Sequence, residues 1–291
     1  MNATAALELR EVTKDFGVGL RGVRLRAVDN LNLTVQPGEI LGLLGSNGSG
    51  KSTTLKMILG FSAPTSGSCK IFGVPCTQPE ARVSVGYLPE SPDFYRYLTG
   101  RELVVFYGRL AGLRGQHVSR RAADAIEQVG MTTAADRRVG TYSKGMLQRI
   151  GLAQAIVHEP RLLILDEPTA GVDAIAASAI AELLLTFKQR GTTIVMTSHL
   201  LGQIEEVCDR VAILDRGRLL VEGRLSELVG SDAKPGLRLA SLLSHEREEL
   251  DRWLGVRGYP ASDADTPRVR LDEVFRERVT GRNRRECERV L

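Results

Sequence analysis

One segment carries most of the recognisable chemistry: Gly45-Ser46-Asn47-Gly48-Ser49-Gly50-Lys51-Ser52, a glycine, four residues and then Gly-Lys-Ser. Glycines so spaced let a backbone turn tightly and bring successive N–H groups against a polyphosphate. Lys51 then offers an ammonium to the β and γ phosphates, Ser52 a hydroxyl ligand to Mg²⁺, and Thr53 stands within reach of the α phosphate. A second constellation, Asp166-Glu167, closes the apolar run Leu162–Leu165. Charges at such a place are costly unless they meet a cation. Successive strand residues point in different directions, so Asp166 can attend the metal while Glu167 reaches a water aimed at the γ phosphate. The expected ligand is a metal–nucleoside triphosphate. No Asn-Lys-x-Asp segment for reading guanine occurs, which argues against a GTPase.

These groups need a scaffold that holds both at one edge. The apolar run Ile40–Leu44 predicts a buried strand leading through the glycine-rich loop into a helix over about Lys51–Leu59, a βα unit with its ligand at the carboxyl end of the strand. Leu162–Leu165 and Thr193–Thr197 predict two more buried strands, separated by a helix over Ala174–Arg190. A parallel, doubly wound core sheet follows. Upstream, Leu7–Val12 and the alternating Val28–Val35 predict a β-rich N-terminal part. Helical patterns run from about Arg101 through Val129 and from Lys144 to Val157. Val211–Leu214 and Arg218–Val221 predict strands joined by Asp215-Arg216-Gly217, and a short helix follows at Ser226–Val229. A boundary near Gly230-Ser231-Asp232 then gives a main domain over 1–230, with a helical subdomain at about 91–158, and a small accessory region over 231–291. That region carries strand and helix candidates around Arg238, Glu246–Leu254 and Leu271–Thr280.

Composition narrows the class. The 291 residues, 43% hydrophobic and 25% charged, suit a folded protein with a sizeable core. Met1–Arg10 lacks an apolar signal core, and no run approaches the roughly 18 apolar residues of a membrane span, so a cytosolic chain is expected. The net charge of +4 is mild, and a nucleic-acid groove is weakly supported. Much of the charge sits between Arg268 and Arg289, a solvated helix face or a contact for anionic lipid. Cys69, Cys76, Cys208 and Cys287 show no metal-ligand spacing and are read as reduced thiols without a structural task.

The order of segments from about Leu7 to Val229 resembles an ATP-binding cassette nucleotide-binding domain. The resemblance rests on the phosphate loop, on Tyr142-Ser143-Lys144-Gly145-Met146-Leu147-Gln148-Arg149 as a signature segment, on Asp166-Glu167, and on His199 after Thr197-Ser198. It implies an α/β P-loop NTPase cassette, with a β-rich N-terminal part, a parallel core sheet, a helical subdomain and a C-terminal appendage. It further implies that Ser143 and Gly145 of one subunit meet the γ phosphate held by the other, clamping two ATP molecules in a head-to-tail dimer. His199 resembles the family's switch histidine and Asp173, in Ala170-Gly171-Val172-Asp173, the acid that communicates across the dimer. Phe16 stands where the family stacks an aromatic ring on adenine, and a core role is equally compatible. Glu90, in Gly86-Tyr87-Leu88-Pro89-Glu90, stands where the family often has glutamine near the metal. Lys144 and Met146 replace its commoner glycine and glutamine.

By that resemblance the chain is an ATP-hydrolysing subunit of a transporter, closest to the exporter-like ABC-2 class. It would bind ATP and Mg²⁺ and pair with a second copy or a paralogous subunit. It would dock on a separate multi-span permease from the cytoplasmic face of the membrane. Phe94-Tyr95-Arg96-Tyr97-Leu98 offers an aromatic docking patch in a loop. A soluble cassette ATPase acting on a non-transport machine, and a binding module that uses ATP only to dimerise, are the alternatives.

Overall fold

The computed structural model describes residues 4–18, 23–199 and 201–228. The elements run β1 (Leu7–Val18), β2 (Val23–Val35), β3 (Ile40–Gly45), α1 (Lys51–Ile58), β4 (Ser66–Ile71), β5 (Val74–Pro75), β6 (Val85–Leu88), α2 (Gly100–Leu110), α3 (Gly115–Gln128), α4 (Lys144–Ile156), β7 (Leu162–Asp166), α5 (Ala174–Gln189), β8 (Thr193–Ser198), α6 (Leu201–Val207), β9 (Arg210–Asp215), β10 (Arg218–Arg224) and α7 (Leu225–Leu228). The chain forms two compact units, Met1–Leu225 and Ser226–Leu291. The expected elements around Arg238, Glu246–Leu254 and Leu271–Thr280, the basic tail and Cys287 lie outside the described residues.

The six-stranded sheet has the order β10-β9-β3-β8-β7-β6, with β9, β3, β8, β7 and β6 parallel and β10 antiparallel at one edge. Every residue of β3 and β8 is buried, as central strands covered on both faces require, which explains the apolar stretches Ile40–Leu44 and Ile194–Met196. A separate four-stranded antiparallel sheet, β2-β1-β4-β5, is the β-rich N-terminal part. The hydrophobic core joins the two: Leu7, Leu9, Leu31 and Val35 share it with Leu41 and Leu43 of β3, Leu55 and Ile58 of α1 and Leu162 of β7. Each buried leucine contributes about 1.5–3 kcal/mol.

Three expectations change. The helical pattern from Arg101 to Val129 is two helices, because Gly112 and Gly115 turn the chain at φ +93 and +58. α2 starts with a reciprocal cap between Thr99 and Glu102. The β-strands β4, β5 and β6, short and only partly apolar, were not expected at all. Finally, Cys69 and Cys76 are not free thiols: they form a disulfide with Cα atoms 5.5 Å apart. The cause is register. Phe72 and Gly73, both at positive φ, make a two-residue turn that pairs Ile71 with Val74 and Lys70 with Pro75, so the next pair outward is Cys69 and Cys76. Cys208 is a free thiol, buried, with its pKa pushed up by that burial.

Close packing by glycine aims the helical segment. A Cβ on Gly86 of β6 would fall 2.2 Å from the Ala155 carbonyl oxygen of α4, and one on Gly151 of α4 would fall 2.5 Å from Leu88. Without side chains there, α4 lies directly on β6. Tyr142, buried just ahead of α4, donates its hydroxyl to the Ala134 carbonyl at 2.7 Å.

Candidate nucleotide site

The site sits at the carboxyl ends of three neighbouring parallel strands. Leu44 of β3 pairs with Ser198 of β8, and Thr197 of β8 pairs with Asp166 of β7. The phosphate loop leaves β3, Asp166 and Glu167 leave β7, and His199 leaves β8, so the sheet order alone brings them together. This is where ligands of open α/β sheets bind.

The loop is shaped by its glycines. Gly50, at φ +106, precedes α1 and comes so close to β2 that a Cβ would lie 2.7 Å from the Ala27 carbonyl oxygen. Lys51 is buried and donates its ammonium to the carbonyls of Gly45 at 2.7 Å and Ser46 at 3.2 Å. Burial pushes its pKa below the usual lysine value, while Glu167, Asp166 and Glu90 pull it back up, so all three carboxylates are close enough to feel this charge. Ser46, Asn47, Gly48 and Ser52 are exposed along the loop, Thr53 is half-buried, and the Ser49 hydroxyl is buried without a hydrogen-bond partner. The loop is also held from behind. Gly217, in the β9–β10 turn, donates its N–H to the Ser49 carbonyl at 2.9 Å and accepts from the Asp29 N–H at 2.8 Å.

Across from Lys51, one buried hydroxyl organises both acids. Thr197 donates to Asp166 Oδ1 at 2.6 Å and accepts from the Glu167 N–H at 2.9 Å. Glu167 has φ +49, a conformation unusual for a residue with a side chain, and that N–H contact helps to hold it. Its carboxylate Oε2 lies 2.8 Å from His199 Nδ1; the glutamate is 12% exposed and the histidine 56%. The Thr169 hydroxyl donates to Gln203 of α6, whose same oxygen lies 3.5 Å from the Ser198 hydroxyl.

The remaining expected residues are distributed around this centre. Glu90 is exposed just after β6, and its carbonyl accepts from Gln148 Nε2 of α4 at 3.1 Å. Ser143 caps α4 by accepting from the Met146 N–H, and Asp173 caps α5 by accepting from the Ala176 N–H at 2.8 Å. Those two helix starts touch: a Cβ on Gly145 would lie 3.0 Å from the Ala176 Cβ. Phe16 is 40% exposed on β1, opposite Leu25, with the Lys14 ammonium 5.0 Å over its ring, so it is not a core residue. In the aromatic patch Phe94 turns into the core, while Tyr95 and Tyr97 are 51% and 68% exposed, and Tyr95 packs against both Tyr97 and Phe106.

Sequence reasoning missed Thr197, Gly217 and Gln148. A threonine inside an otherwise apolar strand and a glutamine on the buried face of a helix are the signals that were there to be read. Gly217 had none, since its contacts reach back 168 residues to Ser49.

With this geometry in hand, comparison with known proteins is direct. The family model described as ABC transporter matches residues 28–170. An uncharacterized ABC transporter ATP-binding protein of Synechocystis is 37% identical over 86% of this chain and 73% of its own length. The Nod factor export ATP-binding protein I of Cupriavidus metallidurans is 36% identical over 85% of this chain and 80% of its own. Among solved structures, a dimeric ATP-binding cassette in a post-hydrolysis state, bound to ADP and Pi, aligns with a TM-score of 0.68 at 25% identity, covering 75% of this chain and 98% of that one.

Proposed function

The chain belongs to the ABC transporter ATP-binding proteins, and from that premise we propose that it hydrolyses ATP to power transport through a separate multi-span permease, as a peripheral subunit on the cytoplasmic face of the membrane. The observation that carries this reading is the meeting of the Lys51 loop, Asp166, Glu167 and His199 at adjoining strand ends, with Glu167 fixed by both Thr197 and His199. Among the described residues no helix is long and apolar enough to cross a membrane, in keeping with a separate permease.

The donors near Lys51 fit Mg²⁺. The Ser52 hydroxyl and the Asp166 and Glu90 carboxylates are hard oxygen ligands, and Thr197 engages only Oδ1 of Asp166. Those three residues would hold the ion, which when bound neutralises charge on the phosphate oxygens. Glu167 takes a proton from the attacking water as its oxygen bonds to the γ phosphorus and the bond to the β–γ bridging oxygen breaks. His199 keeps the Glu167 carboxylate in line through Nδ1. Lys51 and the loop N–H groups, with the buried Ser49 hydroxyl beside them, meet the charge that develops on the phosphates. Phe16 stacks on the adenine from the neighbouring sheet.

The dimeric neighbour supports a pair made with a second copy or a paralogous subunit, and the resemblance of the signature segment implies that the pair is head-to-tail. In such a pair Ser143 and Gly145 complete the partner subunit's site, and Asp173 reports across the junction. Tyr95, Tyr97 and Phe106 form the exposed apolar surface on which a permease helix docks.

Pull-down of the tagged chain from detergent-extracted membranes tests the transporter reading. A multi-span protein is expected to co-purify, and to be lost in a Tyr95→Arg, Tyr97→Arg variant that still hydrolyses ATP. ATP turnover with no integral membrane partner would contradict it and favour a soluble machine.

A further inference from the structure

The corner between α2 and α3 is basic, partly apolar and free of acids. Residues 103–123 hold Arg109, Arg114, Arg120 and Arg121 and no aspartate or glutamate. The acids that flank the stretch are engaged: Glu102 accepts from the Thr99 N–H in the cap of α2, and Asp124 pairs with Arg121, which also reaches Glu159. Arg109, Arg114 and Arg120 are exposed, and none of them forms an ion pair among the described residues. α3 has no acid in its first turn, so its helix dipole adds to the positive potential.

Apolar side chains stand among these charges. Phe106 and Leu110, one turn apart on α2, are 37% and 67% exposed. They lie off the face that α2 buries, where Leu103, Val104 and Gly108 pack inward and a Cβ on Gly108 would fall 2.8 Å from Val118 of α3. The turn joining the helices projects outward: a Cβ on Gly112 or Gly115 would meet nothing within 4 Å. A convex turn offers no groove to a partner helix. Exposed arginines around a leucine on such a turn match a surface that is anionic outside and apolar just beneath, as the interface of a membrane with acidic phospholipids is. Through Phe106, which packs edge-on against Tyr95, the corner also continues the surface on which a permease helix docks. Resting on the reading of the chain as a peripheral membrane subunit, we propose that the α2–α3 corner binds anionic phospholipid headgroups beside the permease. Arg109, Arg114 and Arg120 contact the lipid phosphates, and Leu110 enters the interface between them.

The test sediments the full chain, without a permease, with vesicles of phosphatidylcholine alone and of equal parts phosphatidylcholine and phosphatidylglycerol. Wild type is expected to sediment with the anionic vesicles only, and less so at high salt. Each arginine near an anionic surface is worth about 1 kcal/mol, so an Arg109→Gln, Arg114→Gln, Arg120→Gln variant should partition about a hundredfold more weakly, with ATP turnover unchanged. Leu110→Asn should weaken partition about tenfold and leave its salt dependence as in wild type. Binding of the triple variant equal to that of wild type would place the contact elsewhere in the chain and overturn the assignment. Equal binding to neutral vesicles, or binding to neither kind, would overturn it too. The same triple variant, pulled down from detergent-extracted membranes, should still bring a multi-span protein with it; loss of that protein would make the corner a permease contact and not a lipid one. Absence of any integral membrane partner from the wild-type pull-down would contradict the transporter reading itself, whatever the vesicles show.

Discussion

Replacing Thr197 by valine should separate holding Asp166 and Glu167 in place from merely having them. The substitution keeps shape and volume in a fully buried position of β8 but deletes the hydroxyl that joins Asp166 Oδ1 at 2.6 Å to the Glu167 N–H at 2.9 Å. Losing a hydrogen bond to a charged group costs about 1.5–3 kcal/mol, and leaving the half-buried Glu167 N–H unmet costs about 1 kcal/mol, the low end of the range for a buried group. These losses share one hydroxyl and do not add fully, so about 3 kcal/mol is expected from urea unfolding, a large fraction of the roughly 5–15 kcal/mol of a typical domain. The kinetic effect should be larger than global loosening explains. Glu167 holds φ +49, and without its N–H partner the carboxylate is free to leave the line of attack. A misplacement of about 1 Å costs on the order of 100-fold in rate, so kcat for ATP should fall by about that factor while KM changes little. Thr197→Ser restores the hydroxyl and should recover most of kcat, losing about 1 kcal/mol for the missing methyl. Steady-state ATP hydrolysis and urea titration of the three proteins decide it. A Thr197→Val protein that turns over ATP within about twofold of wild type would refute the reasoning.

Other outcomes follow from the same geometry. Gly217→Ala places a Cβ 2.8 Å from the Ala27 carbonyl oxygen at φ +80, so it should cost about 1–2 kcal/mol or more and weaken ATP affinity by loosening Ser49, as calorimetric titration would measure. Burial lowers the pKa of His158 below the ordinary 6.5 in the folded protein, despite its contact with the Val85 carbonyl. The unfolded chain takes up that proton first as pH falls, so this contribution to stability is present above pH 6.5 and lost below it; thermal melts between neutral and acid pH should slope less steeply for His158→Gln than for wild type. Replacing both Cys69 and Cys76 by serine removes the hairpin cross-link and should cost about 2–3 kcal/mol by urea unfolding, with ATP turnover preserved because the hairpin lies in the other sheet.

The strands that carry the candidate site were legible because parallel central strands are largely apolar and end abruptly in polar and charged residues: Leu165-Asp166-Glu167 and Thr197-Ser198-His199 mark their carboxyl ends directly. The phosphate loop was equally plain, since its glycines and Lys51 serve backbone geometry within one turn. What escaped was whatever depended on distant register. Ser66–Ile71 alternates too weakly to announce a strand, and without that strand nothing suggested that Cys69 would face Cys76. The break between α2 and α3 was missed because Gly112 and Gly115 interrupt an otherwise continuous helical pattern. Phe94 and Tyr95 are adjacent and both aromatic, yet only the second is exposed, a distinction made by packing against Tyr107 that composition does not carry.

The central claim is that Glu167 activates water for attack on the γ phosphate, and comparison of Glu167→Gln with wild type in Mg²⁺-dependent ATP hydrolysis, with ATP binding measured alongside, tests it most directly. Binding at wild-type affinity with turnover reduced by about 100-fold or more is the predicted result. Turnover at the wild-type rate with ATP bound normally would contradict it.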